Sequence, residues 1–115
     1  MSQRPRIGRP LPRASRAYAS TEKWTYWILA PDGHGADWRR VFRVGPDDRH
    51  VIWSALAPEL RRAPVVTLRD RGAHGLVCGV AVRITLYGRT AVVLTSWHYR
   101  DESAAPRLVT AYPIV

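Results

Sequence analysis

Apolar and polar residues alternate most regularly between Val77 and Tyr99, where VCGVAVRITLY runs into a Gly88-Arg89 pair and then TAVVLTSWHY. Period-two alternation in stretches rich in Val, Ile, Thr, Trp and Tyr marks half-buried strands. A two-residue type II′ turn at Gly88-Arg89 sets Tyr87 opposite Thr90. One face then collects Cys78, Val80, Val82, Ile84 and Leu86 against Tyr99, Trp97, Thr95, Val93 and Ala91, and this is the expected core face. The other carries Gly79, Ala81, Arg83, Thr85 and Tyr87 opposite His98, Ser96, Leu94, Val92 and Thr90. That second face is small and polar around Gly79, Arg83, Ser96 and His98, so a site is expected there.

Upstream the period changes. In TEKWTYWILA (21–30) the spacing of Trp24, Trp27 and Ile28 favours a short helix or turn docked on the core over a strand. Pro31-Asp32-Gly33-His34-Gly35 is a loop. Asp37 caps a short helix running to about Arg43, with Trp38, Val41 and Phe42 inward. Gly45-Pro46-Asp47-Asp48 stops that helix and starts another over 47–57, whose apolar face is Val51, Ile52, Ala55 and Leu56 and whose continuation Pro58 disrupts. A strand is expected at 65–69, a turn at Asp70-Arg71-Gly72, and a last strand in RLVTAYPIV. The register of that last strand stays open, so Thr110 and Tyr112 fall either in the core or on the open face. The expected fold is α+β, with two or three short N-terminal helices packed on one face of a three- to four-stranded antiparallel sheet. Residues 1–20 hold five arginines, three prolines and no acid. They read as a flexible basic arm ahead of a single domain, 21–115.

Charge narrows the partners. The net charge is +9 and the pI about 11.0, with Lys23 the only lysine. Without the arm the remainder carries about +4 (thirteen Lys and Arg against nine acids), so more than half of the excess sits in residues 1–20. A small basic domain attracts polyanions, RNA first, or an acidic protein that masks the charge. One cysteine excludes a disulfide framework and a thiolate zinc site, and Cys78 on an apolar strand face reads as structural. His34, His50, His74 and His98 lack short metal-ligand spacing, so no metal and no other cofactor is expected. No apolar run of about 18 residues exists to span a membrane. The basic N-terminus has no apolar segment of a secretory signal, and a cytoplasmic origin is expected.

No phosphate-binding glycine loop, zinc-protease helix or nucleophile elbow is present. A metal-free basic cluster remains. Cleaving RNA through its own 2′-hydroxyl needs a base, an acid for the departing oxygen, and cations around the crowded phosphorus. His98 suits the proton transfers because imidazole titrates near working pH, and Arg83 on the same face suits the phosphate. Arg107 and Arg100 flank the final loop, while Ser96, Thr110 and Tyr112 offer hydroxyls. His34 and His74 lie in glycine-rich loops, where functional residues are commonly mounted. His50, inside a helix, reads as surface. Most of the five tryptophans read as core, although an exposed one is able to stack a base.

EKWTYWILAPDGHGADWRRVF and LYGRTAVVLTSWHYRDESAAPRLVTAYP resemble a small uncharacterised domain family of polymorphic-toxin and phage-associated bacterial proteins. The resemblance spans about residues 21–113 and is most specific at Pro106–Pro113. It implies binding roles for Lys23 at the family's opening lysine and for Arg39 and Arg40 on the basic helix, where the family usually has a lysine. Helices followed by an antiparallel sheet are also similar, at fold level, to the barnase, EndoU, colicin and RelE group of ribonuclease toxins. That likeness implies a metal-independent ribonuclease toxin acting on tRNA or ribosomal RNA. Its catalytic residues would come from His98, Arg83, Arg107, Thr110 and Tyr112, and its RNA contacts from Lys23, His34, Arg39, Arg40, His74 and Arg100. An acidic immunity protein or antitoxin is the implied partner, with delivery to another cell as an effector. The alternative is a non-enzymatic RNA-binding or protein-interaction module, phage-associated or otherwise.

Overall fold

A computed structural model describes residues 4–114. Three helices precede four strands: α1 (Thr21–Lys23, continued by a wider π turn over Trp24–Ile28), α2 (Gly35–Phe42), α3 (Arg49–Glu59), β1 (Val65–Asp70), β2 (Leu76–Leu86), β3 (Arg89–Tyr99) and β4 (Arg107–Pro113). The strands form one antiparallel sheet in the order β1-β2-β3-β4. The helices pack on one face of it, and the expected α+β layering is what the chain adopts.

The β2–β3 hairpin is the centre of the core. Cys78, Val80, Val82, Ile84, Leu86, Val93, Thr95, Trp97 and Tyr99 are all buried, as the alternation predicts. Its turn differs from the expected one. Leu86 pairs with Arg89, so the two turn residues are Tyr87 and Gly88, with φ of 50° and 80°. Positive φ at both central positions is a type I′ arrangement, whose twist matches that of the flanking strands. Each strand keeps its faces, but every cross-strand partner moves by two residues. Asp48 holds the turn tyrosine by accepting its hydroxyl at 3.0 Å.

The core face contains a closed polar relay. Trp97 Nε1 donates to Thr95 Oγ1 at 2.8 Å, and Thr95 Oγ1 donates to the Val80 carbonyl at 2.8 Å. Buried polar groups are tolerated when each is satisfied in this way. On the helical side, Trp38 and Phe42 of α2 and Ile52 and Leu56 of α3 are fully buried, while Val51 is exposed. In the π turn the Leu29 amide donates to the Trp24 carbonyl at 2.9 Å. Trp24 and Ile28 turn inward, and Tyr26 and Trp27 point out; Trp27 is 66% exposed instead of docking on the core.

From Arg4 onward the stretch read as a flexible arm is laid along the domain instead, residues 1–3 of it lying outside the described residues. Gly8 N–H donates to the Val65 carbonyl and Val65 N–H to the Arg9 carbonyl, at the β1 edge. At the opposite edge Tyr18 N–H donates to the Pro106 carbonyl and Leu108 N–H to the Tyr18 carbonyl. Between these points Leu11 is buried and Pro12 O accepts the Tyr99 hydroxyl at 2.6 Å. The arginine content suggested repulsion, but Arg4, Arg6, Arg9 and Arg16 remain in solvent while apolar side chains and backbone groups bind. This N-terminal strap occupies part of both sheet edges, where unpaired backbone groups otherwise invite association. Trp38 covers another part of the β4 edge, its Nε1 donating to the Ala111 carbonyl at 3.0 Å.

Thr95→Val leaves the Trp97 N–H without its acceptor in a dry core and is expected to cost about 1–3 kcal/mol. Adding Trp97→Phe removes the stranded donor. Urea unfolding of the two single variants and the double variant is expected to show a coupling of about 0.5 kcal/mol or more. Additive costs would mean that the relay carries no energy.

Candidate nucleic-acid interface

The sheet face opposite the helices is built from residues that alternate with the core set. β2 contributes Val77, Gly79, Ala81, Arg83 and Thr85, and β3 contributes Thr90, Val92, Leu94, Ser96 and His98. Leu94 pairs with Tyr112, Ser96 with Thr110 and His98 with Arg107, so β4 adds all three to this face. Its core side is Leu108, Ala111 and Pro113, all buried. A change of register between Ser96 and Trp97, with Val109 the extra residue, lets Leu108 and Ala111 face the core from positions three apart. Thr110 and Tyr112 therefore belong to the open face. Gly79 keeps its part of that face flat, since a Cβ there would collide with Thr67 Oγ1.

One end of the face closes into a groove of about 360 Å³, lined by Tyr18, His98, Arg100, Ala104, Ala105 and Arg107. His98 Nε2 donates to the His74 carbonyl at 2.5 Å. A carbonyl only accepts, so Nε2 carries the proton and Nδ1 is the nitrogen left for exchange. Arg107, directly across from His98, is exposed and has no ion pair among the described residues. Arg100 Nε lies 3.5 Å from an Asp101 carboxylate oxygen. That carboxylate is turned to Ser103, accepting from its amide and its hydroxyl at 2.9 Å each. The Ser103 amide, its hydroxyl and Arg100 hold the Asp101 carboxyl below the usual carboxylate range. Two guanidiniums, an imidazole and a phenol thus meet in one groove, an arrangement suited to an anion.

The other expected residues are distributed unevenly. Thr110 and Ser96 stand two strand positions from His98, roughly 7 Å away. Tyr112 is at the far end of β4, its ring stacked on His34 with centroids 4.6 Å apart. Arg83 pairs with Val92, six positions from His98, which puts it roughly 20 Å along the sheet. It shares the face but not the groove, so the two do not act on one phosphate; even the expected register, with Arg83 opposite Leu94, leaves four positions, roughly 14 Å, between them. His74 does not line the groove, and its carbonyl accepts from the His98 ring. Lys23 lies over the Trp27 ring at 5.7 Å on the π-turn side, and Arg39 and Arg40 are exposed on α2, Arg40 paired to Asp37 at 2.5 Å. None of these three lines the groove. Tyr18 does, yet it gave no signal in the sequence, because nothing around Ala17–Ala19 alternates or marks an edge pairing.

Among the described residues no three His, Cys, Asp or Glu side chains cluster as metal ligands do, and no helix is long and apolar enough to cross a membrane. The architecture defines a small α+β domain, three helices behind a four-stranded antiparallel meander with a cationic groove at one end. The chain belongs to the family described as a domain of unknown function, DUF6883, whose model matches residues 10–115. That match takes in the strap from Pro10 onward. No curated protein and no solved structure matches the chain.

Cys78 stands apart from the groove, buried on the core face, where burial pushes its thiol up to about 11. A group whose pKa rises on folding contributes stability below its unfolded pKa and loses it as pH climbs through the folded one. The unfolding midpoint is therefore expected to fall between about pH 9 and 11, and less steeply in Cys78→Ala. At pH 8 an aromatic disulfide reagent is expected to leave the native thiol unmodified and to react at once in denaturant. Rapid labelling of the native protein would contradict its placement.

Proposed function

We propose that this is a small metal-independent ribonuclease domain of the kind used as bacterial toxins, with the His98–Arg100–Arg107–Tyr18 groove as its site. The observation that carries the reading is the cross-strand pair of His98 and Arg107 at the mouth of a groove with a second arginine in it. An RNA phosphate seated between Arg107 and Arg100 would have its charge neutralised as phosphorus becomes five-coordinate. His98 Nδ1 takes the 2′-hydroxyl proton, the 2′-oxygen bonds to phosphorus, and the bond to the 5′-oxygen breaks. The Tyr18 hydroxyl, the phenol lining the groove, is the group assigned to hand that oxygen a proton. The products are a 2′,3′-cyclic phosphate and a free 5′-hydroxyl. Thr110 and Ser96, two strand positions further along the same face, would contact the ribose, and the His34–Tyr112 stack extends the surface along β4. Transfer RNA or ribosomal RNA is the substrate class, and an acidic immunity protein or antitoxin the neutralising partner. The toxin is made in the cytoplasm and delivered to another cell as an effector.

A second reading is supported by a specific observation: the groove holds a single imidazole, with Nε2 already bonded to His74. The same face then binds RNA without turnover, as a non-enzymatic module.

Incubating an RNA oligonucleotide with the protein in excess chelator separates the two. The ribonuclease reading predicts cyclic-phosphate ends, with cleavage lowered on the order of 10²-fold or more by His98→Ala. Arg107→Ala is expected to weaken binding as well, and Arg83→Ala to leave cleavage unchanged. DNA of the same sequence, lacking the 2′-hydroxyl, stays intact. Intact RNA with salt-dependent binding would establish the module instead, and cleavage that survives His98→Ala would move the site elsewhere.

A further inference from the structure

On the helical side, two concavities meet between the strap and α3. The larger, about 710 Å³, is floored by Trp53, Ala57 and Pro58 and reaches Arg61 and Arg62. The smaller, about 250 Å³, ends at Arg49 and His50. Both are lined by Ala17 and Trp53, so they adjoin across these two residues as one surface groove along α3 would require. Trp53 is braced from below, edge-on to Trp24 at 6.4 Å and tilted against Trp97 at 6.2 Å. The apolar floor is therefore held in place before anything binds, which lowers the ordering cost of association.

The cations sit at the ends. Arg62 is engaged by Glu59 at 2.8 Å, whereas Arg61 and Arg49 have no ion pair among the described residues. Arg49 and Arg61 are roughly 18 Å apart at the helical rise, a span covered by about five or six residues of extended chain. A nucleic acid strand carries a charge at every nucleotide and calls for cations along its whole length. An indole-and-alanine floor with charge only at its two ends does not supply them. We propose that this groove docks an extended acidic segment of a partner protein, about five or six residues long, apolar at its centre and carrying carboxylates at both ends. The inference stands independently of what the sheet-side groove binds. The two grooves do adjoin, because Tyr18 lines both, so an occupant filling the Arg49 end lies beside the His98 groove.

Fluorescence anisotropy of the full chain with a labelled Asp-Glu-Leu-Phe-Glu-Asp peptide at low salt tests the proposal. Binding is expected, with the Kd rising about tenfold in Arg61→Glu and further when Arg49→Glu is added. Arg83→Glu, on the opposite face, is the charge-matched control and is expected to have no comparable effect. A peptide with Ser-Ser at its centre, or with Lys and Arg in place of the acids, is expected not to bind. Failure of the acidic peptide to bind would overturn the proposal. So would equal losses from Arg61→Glu and Arg83→Glu, or an RNA oligonucleotide that depends on Arg49 and Arg61 while the peptide does not.

Discussion

The two-residue turn at Tyr87 and Gly88 decides how β2 and β3 slide on one another, and the placement of the site follows from that slide. With both residues at positive φ, Leu86 meets Arg89, Val77 meets His98, and Arg83 meets Val92. A shift of two residues leaves every side chain on its original face, because side-chain direction in a strand repeats every two positions. The core is therefore indifferent to such a shift, and Cys78, Val80, Thr95 and Trp97 stay buried in either register. Contacts at the hairpin's open end are not indifferent. Only in the observed register does the His74 carbonyl, just before β2, reach the His98 ring.

A second constraint comes from the helices. All three lie on one side, and Trp38, Phe42, Ile52 and Leu56 bury that side completely. The opposite side has no helix to cover it and mixes small, hydroxylated and basic residues with the aliphatic Val77, Val92 and Leu94. The strap completes the arrangement by pairing at both edges of the sheet, at Val65 and at Leu108, and so brings Tyr18 to the groove. The molecule thus presents a cationic, hydroxyl-bearing face in front and an indole-floored groove behind. The two meet at one residue of the strap.

Much of this was legible in the sequence, for reasons that differ by element. Alternation from Val77 to Tyr99 identified both hairpin faces, and the spacing of Ile52 and Leu56, with Gly45-Pro46 before them, identified α3. These are local patterns with large burial behind them. Turn type was not legible, because Tyr87-Gly88 and Gly88-Arg89 both offer a glycine suited to positive φ. The strap was missed because its arginines dominated the composition. What anchors it is Leu11 and a set of backbone hydrogen bonds, and backbone pairing leaves little trace in side-chain pattern. Trp27 was misplaced by a single π turn, which moves the face by one residue. Of the groove's lining, His98, Arg107 and Arg100 were legible from chemistry and strand position, whereas Tyr18 depended on the edge pairing of the strap; Arg83 was read from its face alone, which says nothing of distance along the strand.

The central claim is that RNA engages the groove between the ends of β3 and β4. The most direct measurement is a titration of isotopically labelled protein with a short RNA oligonucleotide, followed amide by amide by NMR. The account predicts the largest shifts at His98, Arg100, Arg107 and Tyr18, smaller ones toward Thr110 and Tyr112, and little change along α3. Shifts confined to α3 and the strap's inner side, or none at any RNA concentration, would contradict it.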